Sequence, residues 1–178
     1  MGTSKTFGLS LMLFASSALF SQDAESEKKK VHSARIHSGT VLAAEIILDG
    51  AHNPEGMAAL AESLDAIVAG RRLVAVVSIL DDKDAASMLG RLLPACDALV
   101  LTSSQNPRAL PPPTLQSLAR QLDGPPSELV RAPGAALARG RELAGPEGVV
   151  LATGSIYLVA DLLRLAAGDS GRGRVSRL

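Results

Sequence analysis

Aromatic side chains are nearly missing from this sequence: there is no Trp, one Tyr and three Phe, 2% of 178 residues. The core therefore has to be assembled from Leu, Val, Ile and Ala. Cysteine is almost as scarce. Cys96 stands alone, which excludes an internal disulfide framework, and its place just ahead of an apolar run reads as a buried thiol rather than a nucleophile. Net charge is missing too, with 18 basic against 18 acidic residues, so no global field argues for nucleic acid as a partner. No Gly-x-x-x-x-Gly-Lys-Ser/Thr loop occurs to cradle a triphosphate. The glycine run of a dinucleotide fold is also absent, and this sets aside a nicotinamide-dependent dehydrogenase. There is no internal repeat and no coiled-coil heptad.

What is present is an ordinary globular composition, 47% hydrophobic and 20% charged, in a length suited to one good-sized domain. Residues 1–39 differ from the rest. A basic start, an apolar stretch Phe7 to Phe20 and small residues after it have the outline of a secretory signal peptide. The other reading is an N-terminal extension or a mistaken join that merely resembles one. The stretch is too short for a stable membrane span, which takes roughly 20 residues, and Gln22 to about Gly39 reads as a disordered linker. Residues 40–167 alternate short apolar runs with amphipathic segments, and 168–178, with Arg172, Arg174 and Arg177, reads as a flexible tail.

Within 40–167 the expected strands are Ile46–Leu48, Leu73–Ile79, Ala98–Leu101, Leu129–Arg131 and Val149–Ala152. The expected helices are Pro54–Ala69, stopped by Gly70, then Ala85–Leu93, Thr114–Leu122, Ala135–Leu143 despite Gly140, and Ile156–Ala167 with Ser155 as its cap. This alternation predicts an α/β fold, a Rossmann-like and mostly parallel sheet with helices on both faces. Ligands of such a sheet bind beyond the carboxyl ends of its strands. The polar residues collect there: Asp49, His52 and Asn53 after the first strand, Asp81 to Asp84 after the second, Thr102 to Arg108 after the third, Thr153 to Ser155 after the last. Each group also has a plain reading as a turn or helix cap. Together they describe a crevice.

The stretch Ile46-Ile47-Leu48-Asp49-Gly50-Ala51-His52-Asn53-Pro54 carries a resemblance. With the Asp82-Lys83-Asp84 loop, Asn106-Pro107-Arg108-Ala109 and Thr153-Gly154-Ser155-Ile156-Tyr157-Leu158-Val159, it is similar in order and spacing to the C-terminal domain of the folylpolyglutamate and dihydrofolate synthases, within the Mur ligase superfamily. The resemblance runs to about Ala167 and does not cover the first forty or so residues. It implies the Mur ligase C-terminal fold type and an ATP-dependent ligase that joins a folate carboxylate to the amino group of L-glutamate through an acyl phosphate. By that resemblance Asp49 would bind the ribose hydroxyls of ATP, and His52 and Asn53 would line the nucleotide and amino-acid side of the cleft. Lys83, Arg108 and Ser155 would hold glutamate's carboxylates. The phosphate loop and the Mg ligands would belong to a central ATPase domain, with a separate ATPase-domain chain as one partner the resemblance implies, and the chain would be cytoplasmic unless residues 1–22 export it. The arginine that the family places upstream has no matching context here, so Arg35 is not assigned that role. Two functions follow: half of a ligase active site with negligible activity alone, as a fragment, split subunit or degenerate copy, or a non-catalytic interaction module derived from that domain.

Overall fold

The structure, a computed structural model, describes residues 44–172 together with two short segments ahead of them, Leu11–Phe14 and Ser33–Ala34. Those two are β1 and β2. They are followed by β3 (Glu45–Asp49), α1 (Pro54–Val68), β4 (Leu73–Val77), α2 (Ala85–Leu92), β5 (Ala98–Leu101), α3 (Pro112–Gln121), β6 (Ser127–Leu129), α4 (Pro133–Ala144), β7 (Val149–Thr153) and α5 (Ile156–Arg172). The sheet order is β2-β1-β3-β7-β4-β5-β6. All neighbours are parallel except β1 and β2. The backbone of β1, part of the apolar stretch with a signal-like outline, runs beside β3 with Leu11 opposite Ile46. The remainder of residues 1–43, Arg35 included, lies outside the described residues, as do Arg174 and Arg177.

Side chains of consecutive strand residues point to opposite faces, and both faces are apolar, as in any sheet covered on two sides. Ile47, Leu73, Ala75, Val77, Leu99 and Leu151 meet α1, α2 and α3 in one cluster. Ile46, Leu48, Val74, Val76, Val100 and Val150 meet α4 and α5 in the other. Helix α1 starts where expected: the Asn53 side chain accepts from the Gly56 amide at 2.7 Å, with Pro54 in the first turn. It ends one residue earlier than expected, because Ala69 itself turns left-handed (φ 52°) ahead of Gly70. Helix α4 runs through Gly140, as expected, and the glycine has a packing reason. A Cβ there would stand 3.0 Å from Val76 Cγ2 and 3.1 Å from Val150 Cγ1, so the missing side chain lets α4 lie close on the sheet.

Other boundaries shift for physical reasons. Helices α3 and α4 begin two residues earlier than read, at Pro112 and Pro133, since first-turn prolines give up no helical hydrogen bond. Strand β4 ends at Val77, opposite Thr153 where its partner β7 also ends, and the Ser78 amide makes the last bond of that ladder to the Thr153 carbonyl, at 3.3 Å. Strand β6 sits two residues before its expected place. The Arg131 carbonyl is taken instead by Thr102 Oγ1 at 2.9 Å and the Ser103 amide at 3.4 Å. Helix α5 continues to Arg172, past Ala167, with no proline to stop it. Cys96 is largely buried; its Sγ lies 3.4 Å from the Leu92 carbonyl. Burial, aided by the Asp97 charge, pushes the thiol up to about 12.

Candidate functional site

Because β3, β4, β5, β6 and β7 are parallel, the loops that follow them share one edge of the sheet. They are also joined to one another. The Gly154 amide donates to Ala51 O at 3.1 Å, tying the β7 loop to the β3 loop. Ser104 N donates to Ser78 Oγ at 3.0 Å, tying the β5 loop to the β4 loop. Farther out, Asp81 N donates to Arg108 O and Leu110 N to Ile79 O, both at 2.8 Å, and Leu80 bridges Ala109.

Asp49 closes β3 and is 4% exposed. Its Oδ1 accepts from the Ala51 amide at 2.7 Å and more distantly from Thr153 Oγ1 at 3.4 Å. Burial pushes its carboxyl pKa up, and the bonds from Ala51 and Thr153 pull against that shift. No hydrogen bond reaches Oδ2 from the described residues, so one oxygen is held while the other stays available to hydroxyl donors. His52 Nδ1 lies 2.9 Å from Gly50 O. A carbonyl only accepts, so the neutral ring carries its proton on Nδ1 and offers Nε2 as an acceptor. Asn53 commits its oxygen to the cap of α1, which leaves its amide NH2 as the group it can offer.

Ser155 is buried at the start of α5, its Oγ accepting from Tyr157 N at 3.2 Å. Gly154 before it has φ +93°, and a Cβ would stand 2.7 Å from the Ser78 carbonyl oxygen. That close approach seats the α5 N-terminus, with its unpaired N–H groups, at the middle of the edge. Lys83 and Arg108 meet on one acid: Lys83 Nζ and an Arg108 Nη both lie 3.2 Å from Asp82 Oδ2. Lys83 first, and Arg108 after it, hold the Asp82 carboxyl below its ordinary value. So Asp49, His52, Asn53, Lys83, Arg108 and Ser155 share one edge. Asn53 and Ser155 serve there as helix caps, and both cations are already paired.

Two buried polar residues at this edge, Ser78 and Asp161, escaped the sequence, and a third, Ser104, was legible only as one of the Thr102 to Arg108 group. Ser78 lay inside what read as a continuous strand. Ser104 Oγ is buried with no hydrogen-bond partner among the described residues. Asp161, 3% exposed on α5, accepts from Gln105 N at 2.8 Å and pairs with Arg164 at 2.8 Å, latching the β5 loop to α5. An acid in the apolar stripe of a helix was the signal available for it. No group of three or more His, Cys, Asp or Glu among the described residues is arranged to hold a metal ion, and no described helix is long and apolar enough to cross a membrane.

A family model described as the Mur ligase, glutamate ligase domain matches residues 36–156. The chain belongs to this Mur ligase family. It has the character of the C-terminal domain of folylpolyglutamate synthase-like ligases. It is 38% identical over 116 residues to a bifunctional folylpolyglutamate synthase/dihydropteroate synthase of Haloferax volcanii, covering 65% of this chain and 14% of that protein. It is 41% identical over 80 residues to the dihydrofolate synthase/folylpolyglutamate synthase of Mycobacterium tuberculosis, covering 45% and 16%. In three dimensions this Mur ligase domain is similar to the M. tuberculosis folylpolyglutamate synthase complexed with ADP, with a TM-score of 0.60 and 32% identity over 69% of this chain and 30% of the other. The chain thus spans well under a third of the length of each of these relatives.

Proposed function

We propose that this domain forms one wall of the nucleotide and glutamate cleft of an ATP-dependent folate–glutamate ligase. Asp49 carries the reading. A buried carboxylate with one oxygen fixed by Ala51 and Thr153 and the other without a hydrogen bond from the described residues suits the paired hydroxyls of a ribose, which can donate to it. His52 Nε2 and the Asn53 amide offer one acceptor and one donor beside it. Glutamate brings two carboxylates, and Lys83, Arg108 and the Ser155 end of α5 supply cationic and N–H donors on the same edge. Solved relatives bearing ADP support nucleotide use.

The triphosphate and its Mg2+ fall to a separate ATPase domain in this reading, since the sequence carries no glycine-lysine cradle and the described residues form no metal cluster. Phosphoryl transfer depends on that positioning and charge neutralisation, so the chain alone should give negligible ligase turnover. Sustained ATP consumption dependent on glutamate and a folate would refute this. Calorimetry tests the binding half: the chain should bind ATP or L-glutamate at least weakly, and Asp49→Ala should weaken the nucleotide. Binding of neither would favour the second reading, an interaction module. That reading has its own observation, since Ile156 and Tyr157 are 52% and 42% exposed at the first turn of α5, an apolar pair on the edge where a second domain would dock.

A further inference from the structure

The two cations assigned to substrate are not waiting for it. Lys83 and Arg108 stand on different loops, yet their ion-pair partner is one atom, Asp82 Oδ2, 3.2 Å from each. The loops are held at that spacing by the backbone rather than by the charges. Asp81 N to Arg108 O, Leu110 N to Ile79 O and the Leu80–Ala109 bridge would persist if the ion pairs opened. The local charge is not cationic either. Three acids, Asp81, Asp82 and Asp84, flank Lys83 in the same loop, and Asp82 pairs with both cations. Asp84 is committed elsewhere, its carboxylate taken by Ser87 N at 2.9 Å and Ser87 Oγ at 2.6 Å. An anion approaching this edge therefore meets a carboxylate already seated where its own would go.

We propose that Asp82 is a resident counter-ion: it occupies the fork made by Lys83 and Arg108, and a ligand carboxylate reaches those cations only by taking its place. The inference rests on the reading that this fork faces a carboxylate of glutamate. Exchanging one carboxylate for another returns only a difference in interaction energy, so a ligand with a single carboxylate gains little here. A dicarboxylate, which exchanges one group at the fork and sets the other against the N-terminal end of α5, keeps the second contribution whole. The cost of opening the Asp82 ion pairs falls equally on both kinds of ligand, so Asp82 lowers affinity across the board and the second contact alone sets the preference for dicarboxylates. The pairs are partly exposed, so displacement is easy and fast, and each contributes modestly.

The test uses the full chain with glutarate and butyrate as probes, followed by NMR titration. Asp82→Asn should tighten both probes by about three- to ten-fold, the range expected for releasing two exposed ion pairs. The preference for glutarate over butyrate should stay the same, because both probes displace the same carboxylate, and the urea midpoint should be unchanged because the backbone ties remain. Asp81→Asn removes the same formal charge from a side chain with no ion pair and should produce a clearly smaller effect. Equal gains in the two variants, or no gain in Asp82→Asn, overturn the counter-ion. Lys83→Met separates this failure from that of the underlying reading. If Lys83→Met abolishes glutarate binding while Asp82→Asn changes nothing, the fork binds carboxylates but Asp82 does not guard it. If no form binds glutarate, both ideas fall.

Discussion

Replacing Gly154 by Ala tests the turn that seats α5 on the sheet edge. Two costs combine. The backbone has φ +93°, well outside the ordinary left-handed well near +57°, and a Cβ in such a region costs about 1–2 kcal/mol. The new methyl would also lie 2.7 Å from Ser78 O, 3.1 Å from Ile79 Cγ1 and 3.2 Å from Val77 Cγ1. The nearest of these is a backbone oxygen at the centre of the sheet, which cannot swing away, so an overpacking cost of about 1–3 kcal/mol applies. The expected loss is about 2–5 kcal/mol against a total of roughly 5–15 for a domain, read as a fall in urea midpoint by circular dichroism. Two other glycines divide the costs. Gly70 has φ +76° with nothing within 4 Å of its Cβ position, so Gly70→Ala should lose only the backbone part, about 1–2 kcal/mol. Gly90, inside α2 with equally open space, should gain up to about 1 kcal/mol as Ala. If Gly154→Ala stays within 1 kcal/mol of the parent, or Gly70→Ala loses as much as Gly154→Ala, the close approach is not the reason for the glycine.

Asp49 has a raised carboxyl pKa in the folded state, with burial as the leading cause. The folded form therefore holds its proton longer than the unfolded chain, and its contribution to stability falls as pH rises from the unfolded value near 3.9 through the folded one. Asp49→Asn, which keeps an acceptor for Ala51, should be more stable than the parent at pH 7, with the difference vanishing below about pH 4; urea unfolding at the two pH values checks it. Burial pushes the Cys96 thiol up to about 12, so it should be far less ionised than a free thiol at neutral pH, and an aromatic disulfide reagent should label it much faster once urea unfolds the chain. Asp161→Ala removes the acceptor of Gln105 N and should cost about 1–3 kcal/mol, with hydrogen exchange at Gln105 accelerating more than at the α5 core residue Leu162.

The sheet was legible because its strands are short apolar runs bounded by polar turns, and Asp49-Gly50-Ala51-His52-Asn53-Pro54 announces both a strand end and a helix start. Strand order was not legible. Nothing in Val149-Val150-Leu151-Ala152 says that it lies between β3 and β4, because a fully buried strand looks alike beside any neighbour. The shared edge could be read from alternation alone, but the pairing on it could not. Asp82-Lys83 looks like a donor loop until the fold brings Arg108 to the same oxygen. Asp161 could be seen as an acid among apolar positions of the last helix, but its partner could not, because only the fold brings Gln105 of the β5 loop to it.

The placing of β7 has a consequence for how the molecule is made. Glu45 pairs with Val149 and Leu73 with the same residue from the other side, so β3 and β4 never touch as ladder partners, and β3 waits for a strand that leaves the ribosome about a hundred residues after it. Until Val149–Thr153 emerges, β4, β5 and β6 form a small sheet with an open apolar edge, and β3 remains apart from it. Contacts this distant along the chain slow folding and prolong exposure of unpaired strand edges. Synthesis that pauses before residue 149 should leave a species prone to self-association, and chaperone capture of nascent chains should drop sharply once β7 has cleared the exit tunnel.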